Sequence, residues 1–179
     1  MPKTGCYHAR MKRRDLLIVT AAFGAGSSWA GQPKVQSLDG ALAWLDRLEK
    51  SRTVKTTGEW PIVAVLEHLS QSIEMSMDGF PELKSAAFQH TAGAAAFAFF
   101  NWHGAMNHSL SDPIPGATAL TREGNWRKSS ARLRAALARF EAHQGGLMPH
   151  FAYGKLDKAE FARAHVLHIA NHQDEIIVI

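Results

Sequence analysis

Cysteine is nearly absent from this chain of 179 residues: Cys6 is the only one. A lone thiol so near the start leaves the body of the protein no disulfide, no cysteine-based metal site and no thiol nucleophile. A charge imbalance is also missing once the charges are located. The chain carries 20 Lys+Arg against 16 Asp+Glu, with a pI near 9.4. In residues 1–30, however, Lys3, Arg10, Lys12, Arg13 and Arg14 stand against Asp15 alone, and the remainder holds 15 of each sign. The basic pI belongs to the N-terminal segment, so it gives no argument for a nucleic-acid partner. No apolar run reaches a comfortable membrane-span length. Internal repeats, low-complexity tracts and persuasive strands are lacking too. What remains has ordinary globular composition, 46% hydrophobic and 20% charged, and is long enough for one domain with a substantial core.

Residues 1–30 read as an export signal. Lys12-Arg13-Arg14 precede the apolar run Leu16-Leu17-Ile18-Val19-Thr20-Ala21-Ala22-Phe23, and Ser28 and Ala30 suit cleavage before Gly31. The paired arginines followed by Asp15-Leu16-Leu17 are similar to a twin-arginine signal, whose route carries proteins already folded. Met11 is a plausible true start, with the residues before it an upstream extension. The expectation is a periplasmic or otherwise exported domain spanning 31–179, with no stable membrane anchor after cleavage. No cysteine marks the cleavage point for lipid attachment, and Cys6 is lost with the signal.

Helical periodicity organises the chain after a short linker at 32–36. Leu38, Leu42, Leu45 and Leu48 share a face, with Ser37 or Asp39 as cap, and Thr53 to Gly58 breaks this first helix. Pro61 opens the second, where a missing N–H costs nothing. Its stripe is Ile62, Val65, Leu66, Leu69, Ile73 and Met77, ended by Gly79-Phe80-Pro81, and His68 stands at the stripe's border. Ala86 to Phe100 reads as a helix or broken helix. Periodicity then fails, and Asp112-Pro113-Ile114-Pro115-Gly116 must be a loop. A third long helix runs from Trp126 to His143 with Leu133, Ala136, Leu137 and Phe140 inward. Its opposite face carries Arg127, Lys128, Arg132, Arg134 and Arg139 and is expected to be solvated. Beyond Gly145-Gly146, Asp157 and Glu160 have the offset of a capping box. The last helix presents Phe161, His165, His168, His172 and Ile176 on one face. The fold class is all-α.

The histidines carry the chemistry. At 3.6 residues per turn, His165, His168 and His172 fall within about 60° of one another. His168 and His172, at i and i+4, project toward one point and suit two adjacent coordination positions. A third nitrogen from His68 would complete a three-His set with open positions for water or substrate. Zinc and nickel suit imidazole well, as do copper and iron. No H-E-x-x-H is present, so this is not a zincin. His165 reads as a partner of the ligands, a general base or a core histidine bonded to a carbonyl. Glu175 and Tyr153 are weaker candidates for proton transfer, and Glu67 and Glu74 read as structural. Trp102, His103 and His108 read as ordinary packing, with lining of the same cavity as the alternative, and His90 and His143 as bystanders.

The four-helix plan, His68 on the second helix and the His168/His172 pair on the last resemble the DinB/YfiT-like metalloprotein superfamily. Gly58-Glu59-Trp60-Pro61 through Glu67-His68-Leu69, Asp78-Gly79-Phe80-Pro81, Ile114-Pro115-Gly116 and His150-Phe151-Ala152-Tyr153-Gly154-Lys155-Leu156 resemble one branch of it, catalogued as a domain of unknown function. The likeness spans roughly residues 36–179 and implies a four-helix bundle with a long irregular segment between the second and third long helices. It also implies that His68, His168 and His172 are the metal ligands. Better-known members are thiol-dependent transferases or isomerases whose final motif continues with another His pair and Arg-Gly-Gln. Here His172 is followed by Gln173-Asp174-Glu175-Ile176, so the resemblance carries over the triad and not thiol transfer. The resulting expectation is an exported divalent-metal protein, a hydrolase or transferase for a small molecule, with a homodimer as one possible assembly. The alternative is a non-catalytic bundle that binds a small ligand or metal.

Overall fold

The computed structural model describes residues 33–178 together with Met1, so the export-signal reading of 1–30 lies outside the described residues. Six helices follow in order: α1 Leu38–Glu49, α2 Ile62–Asp78, α3 Ala86–Phe88, α4 Ala94–His103, α5 Trp126–Ala142 and α6 Lys158–Gln173. Helices α1, α2, α5 and α6 form the bundle. α2 packs along α5 and α6, and α1 closes against the same two. The fold is all-α in the way the DinB/YfiT-like likeness implied. None of the described helices is long and apolar enough to cross a membrane.

Local chemistry explains the boundaries. Ser37 Oγ accepts from the Gly40 N–H at 2.9 Å and opens α1, which buries Ala41, Trp44, Leu45 and Leu48. Asp157 and Glu160 form both halves of the capping box at the start of α6. α2 is buried nearly all round, so it is the central helix and not a one-sided stripe. Full burial of a side chain such as its Leu66 or Leu69 contributes about 1.5–3 kcal/mol. Two buried serines on α2 are satisfied within the helix: Ser70 Oγ donates to Leu66 O at 2.7 Å, and Ser76 Oγ to Ile73 O at 2.6 Å.

Two expectations are corrected here. The basic face of α5 is paired, not simply solvated. Arg132 grips Glu74 with Nε and Nη2 at 3.0 and 2.6 Å and also pairs with Glu67, while Arg139 grips Asp78 at 2.5 and 2.6 Å. Arg134 reaches Asp46 of α1 at 2.7 Å. The partners lie on other helices, where a pattern read along one helix cannot see them. Ion pairs at a solvated surface add little to stability, and the effect of these is to fix helix orientation.

The second correction is a strand pair, where none was expected. β1, Val54–Thr56, pairs antiparallel with β2, Ile176–Val178, in the register Val54↔Val178, Lys55↔Ile177 and Thr56↔Ile176. Ile176 therefore begins a strand instead of continuing the face of α6. Three-residue strands are too short to show alternation. Their consequence is local: Thr57 N–H donates to Glu175 O at 2.8 Å, fixing the turn that follows the last histidine.

Between α2 and α5 the chain runs through the expected broken helix. A π turn, Gln89–Gly93, separates α3 from α4. It docks on the 150–154 loop, where Gln89 Nε2 donates to Phe151 O at 3.1 Å. A Cβ on Gly93 would collide with the Ala152 carbonyl oxygen. Gly93→Ala should therefore destabilise the domain by about 1–3 kcal/mol, read as a lower urea midpoint at unchanged slope. Trp102 and His103 on α4 point outward, with Trp102 81% exposed, which corrects their reading as ordinary packing.

Candidate metal centre

Three helical histidines meet at one place. α2 brings His68, and α6 brings His168 and His172. Their ring centroids are 4.9, 5.0 and 5.2 Å apart, and one ligand atom from each lies within 4.8 Å of the others. Nε2 of His68 stands 3.1 Å from Nε2 of His168. Two nitrogens held about 2.0–2.1 Å from one tetrahedral ion would be separated by about 3.3 Å, so this spacing suits a shared ion.

The proton positions suit it as well. His172 Nδ1 lies 2.6 Å from Glu175 Oε1 and donates to that carboxylate, which directs Nε2 to the ligand position. Nε2 is buried without a hydrogen-bond partner among the described residues. A buried ring nitrogen left unmatched is costly, and coordination of an ion would satisfy it. The carboxylate is itself buried, as expected of a carboxylate–histidine–metal arrangement. Trp60 covers the rings, 5.0 Å from His68 and stacked 6.3 Å from His172. Burial pushes His68 down to about 3, with His172 and His108 reinforcing the shift, and burial likewise holds His168 well below its usual value. Three imidazoles form a donor set for a divalent transition ion and not for calcium or magnesium, which take oxygen.

The site faces a cavity of about 640 Å³ lined by His68 and His168 at one end and by His150, Phe151 and Tyr153 elsewhere on its wall. Of the proton-transfer candidates, His165 and Tyr153 line this cavity, whereas Glu175 does not. Ser76 has one hydroxyl proton, given to Ile73 O at 2.6 Å. His165 Nε2, 3.3 Å from Ser76 Oγ, must therefore donate, which leaves its lone pair on Nδ1. Tyr153 is a neutral phenol, its pKa pushed up to about 12 by burial.

Two further histidines, His108 and His150, line the cavity. His108 is corrected from ordinary packing: it lines the cavity, its ring 5.0 Å from that of His168. His150 was given no role of its own. Its Nδ1 accepts the N–H groups of Ala152 and Tyr153, both at 3.2 Å, so Nε2 carries the proton. The ring is stacked 4.2 Å from Tyr153. Burial lowers His150 and His165 to about 3 each. The unfolded chain, with ordinary values near 6.5, binds these protons first as pH falls. Stability of the metal-free domain should be full above pH 6.5 and decline steadily toward pH 3. The decline should be shallower in His165→Gln, as followed by thermal melts across that range.

A helical bundle that converges three imidazoles on one point beside a cavity belongs to the class of proteins with a candidate metal-binding site. The chain belongs to DUF1569, described as a protein of unknown function, whose family model matches residues 31–177. That family lies within the DinB/YfiT-like superfamily. No curated protein and no solved structure matches the chain.

Proposed function

We propose that this protein is an exported, zinc- or nickel-dependent hydrolase or transferase acting on a small molecule. The observation that carries the reading is the convergence of His68, His168 and His172, two of which, His68 and His168, line the 640 Å³ cavity. A bound ion of this class supplies Lewis acidity to an oxygen or sulfur atom held beside it. The chain's own groups bind and orient the substrate. Phe88, Met106, Ile114 and Phe151 offer an apolar wall for its body. His150, with its tautomer fixed by two backbone N–H groups, offers a neutral Nε2–H to a substrate oxygen. Tyr153 offers a second uncharged donor. His165 Nδ1 is too weakly basic to take a proton at neutral pH, and it serves as an acceptor that orients an O–H or N–H. Lys84, also on the cavity wall, suits an anionic end.

Export is supported by Arg13-Arg14 and the apolar run that follows them. Pairing of two copies is supported by α4, which leaves Phe99 and Trp102 exposed. Activated carboxylic and phosphate esters are suitable first substrates. Turnover should vanish after chelation, return with one equivalent of zinc or nickel, and be absent in His168→Ala. Turnover that survives chelation in both proteins would contradict the proposal.

A further inference from the structure

A fourth histidine ring borders two of the triad rings, with its nitrogens outside the set that lies within 4.8 Å of one another. The three triad rings are 4.9–5.2 Å apart, and His108 lies at 5.0 Å from His168 and 5.9 Å from His172. We propose that His108, carried by the irregular segment between α4 and α5, closes on a bound ion as a fourth nitrogen ligand. The proposal rests on the triad's being a metal site.

Three features of the chain converge on this assignment. The first is the tautomer. His108 Nδ1 lies 2.6 Å from its neighbour's carbonyl, Ser109 O, which can only accept, so Nδ1 carries the proton and Nε2 the lone pair. His172 likewise donates from Nδ1, with Glu175 as the acceptor instead. The second is the tether. Asn171 Nδ2 donates to His108 O at 3.4 Å, and Asn171 sits on α6 between the two α6 ligands. The helix that carries His168 and His172 thus also holds the backbone of His108. The third is position. His108 lines the cavity beside His68 and His168, whereas His172 does not reach it. A ligand from this segment joins the site from the side open to small molecules.

Four imidazoles change what the site can do. With three, a tetrahedral ion keeps one open position; with four, it is closed until a ligand leaves. The three helical histidines are held by the bundle, while His108 is held by one side-chain contact and its own turn. His108 is therefore the ligand a substrate donor atom would displace, and it would favour ions that accept four nitrogens.

The test uses the full chain loaded with Co(II) or Zn(II), comparing wild type with His108→Ala. Zinc affinity, measured against a chromophoric competitor, should fall at least about 100-fold in the variant, the upper end of what losing an outer partner causes. The Co(II) d–d bands should shift and weaken as an oxygen ligand replaces imidazole, and added free imidazole should restore them. Near-UV circular dichroism of the metal-free variant should match wild type, which separates ligand loss from misfolding. Identical affinity and bands in the two proteins would overturn the fourth ligand and leave the triad standing. Weaker affinity with unchanged bands and no response to imidazole would make His108 an outer residue and also overturn it. A wild-type protein that takes up no metal would overturn the triad reading itself, and this inference with it.

Discussion

His168→Ala should reduce the transition-metal content of the purified protein from about one equivalent to below about a tenth. His168 is one of two candidate ligands set on adjacent turns of α6, and its Nε2 already stands 3.1 Å from that of His68. Its loss leaves the triad with two nitrogens, on different helices, and removes the close His68–His168 pair that suits a shared ion. The same change should uncouple stability from metal. An ion present at about 1,000 times its dissociation constant adds about 4.1 kcal/mol to the folded state. In a domain of this size that corresponds to about 8–16 °C in Tm. Chelation should lower the wild-type Tm by that amount and leave the variant unmoved. Equal metal content in both proteins would show that His168 is no ligand.

Glu175→Gln should weaken metal affinity by about 10–100-fold while the protein still folds, because the substitution keeps volume and removes charge. Glu175 Oε1 accepts the His172 Nδ1 proton at 2.6 Å, which sets the tautomer and raises the basicity of Nε2. The backbone places it with some redundancy, through Thr57 N–H on Glu175 O at 2.8 Å and the β1–β2 pair beyond. Gly58 provides a second route to the same test. A Cβ there would collide with Glu175 Oε2, so Gly58→Ala must push the carboxylate off its seat. Both variants should lose affinity in titrations with a competing chelator. If neither does, Glu175 is a bystander to the metal.

The parts of this site that were legible in the sequence are those that a helix writes in its own periodicity. His168 and His172 share a face because they are four residues apart, and His68 falls on a helix whose start at Pro61 is marked by chemistry. Caps at Ser37 and Asp157 were readable for the same local reason. Glu175 was visible as an acid near the last ligand, yet its role depends on a turn that three-residue strands create. His150 and His108 lie in segments with no period. Their tautomers are set by backbone groups, the N–H of Ala152 and Tyr153 in one case and Ser109 O in the other. The ion pairs of α5 were hidden because helices elsewhere in the chain supply the acids, and residue type alone does not tell a paired arginine from a solvated one.

One measurement bears most directly on the claim that the three histidines hold a metal: anomalous diffraction from crystals of the protein loaded with zinc or nickel, recorded at the metal's absorption edge. The account predicts one dominant peak, about 2.0–2.1 Å from a ring nitrogen of each of His68, His168 and His172. A protein that takes up metal elsewhere, with no peak among these three rings, would contradict it.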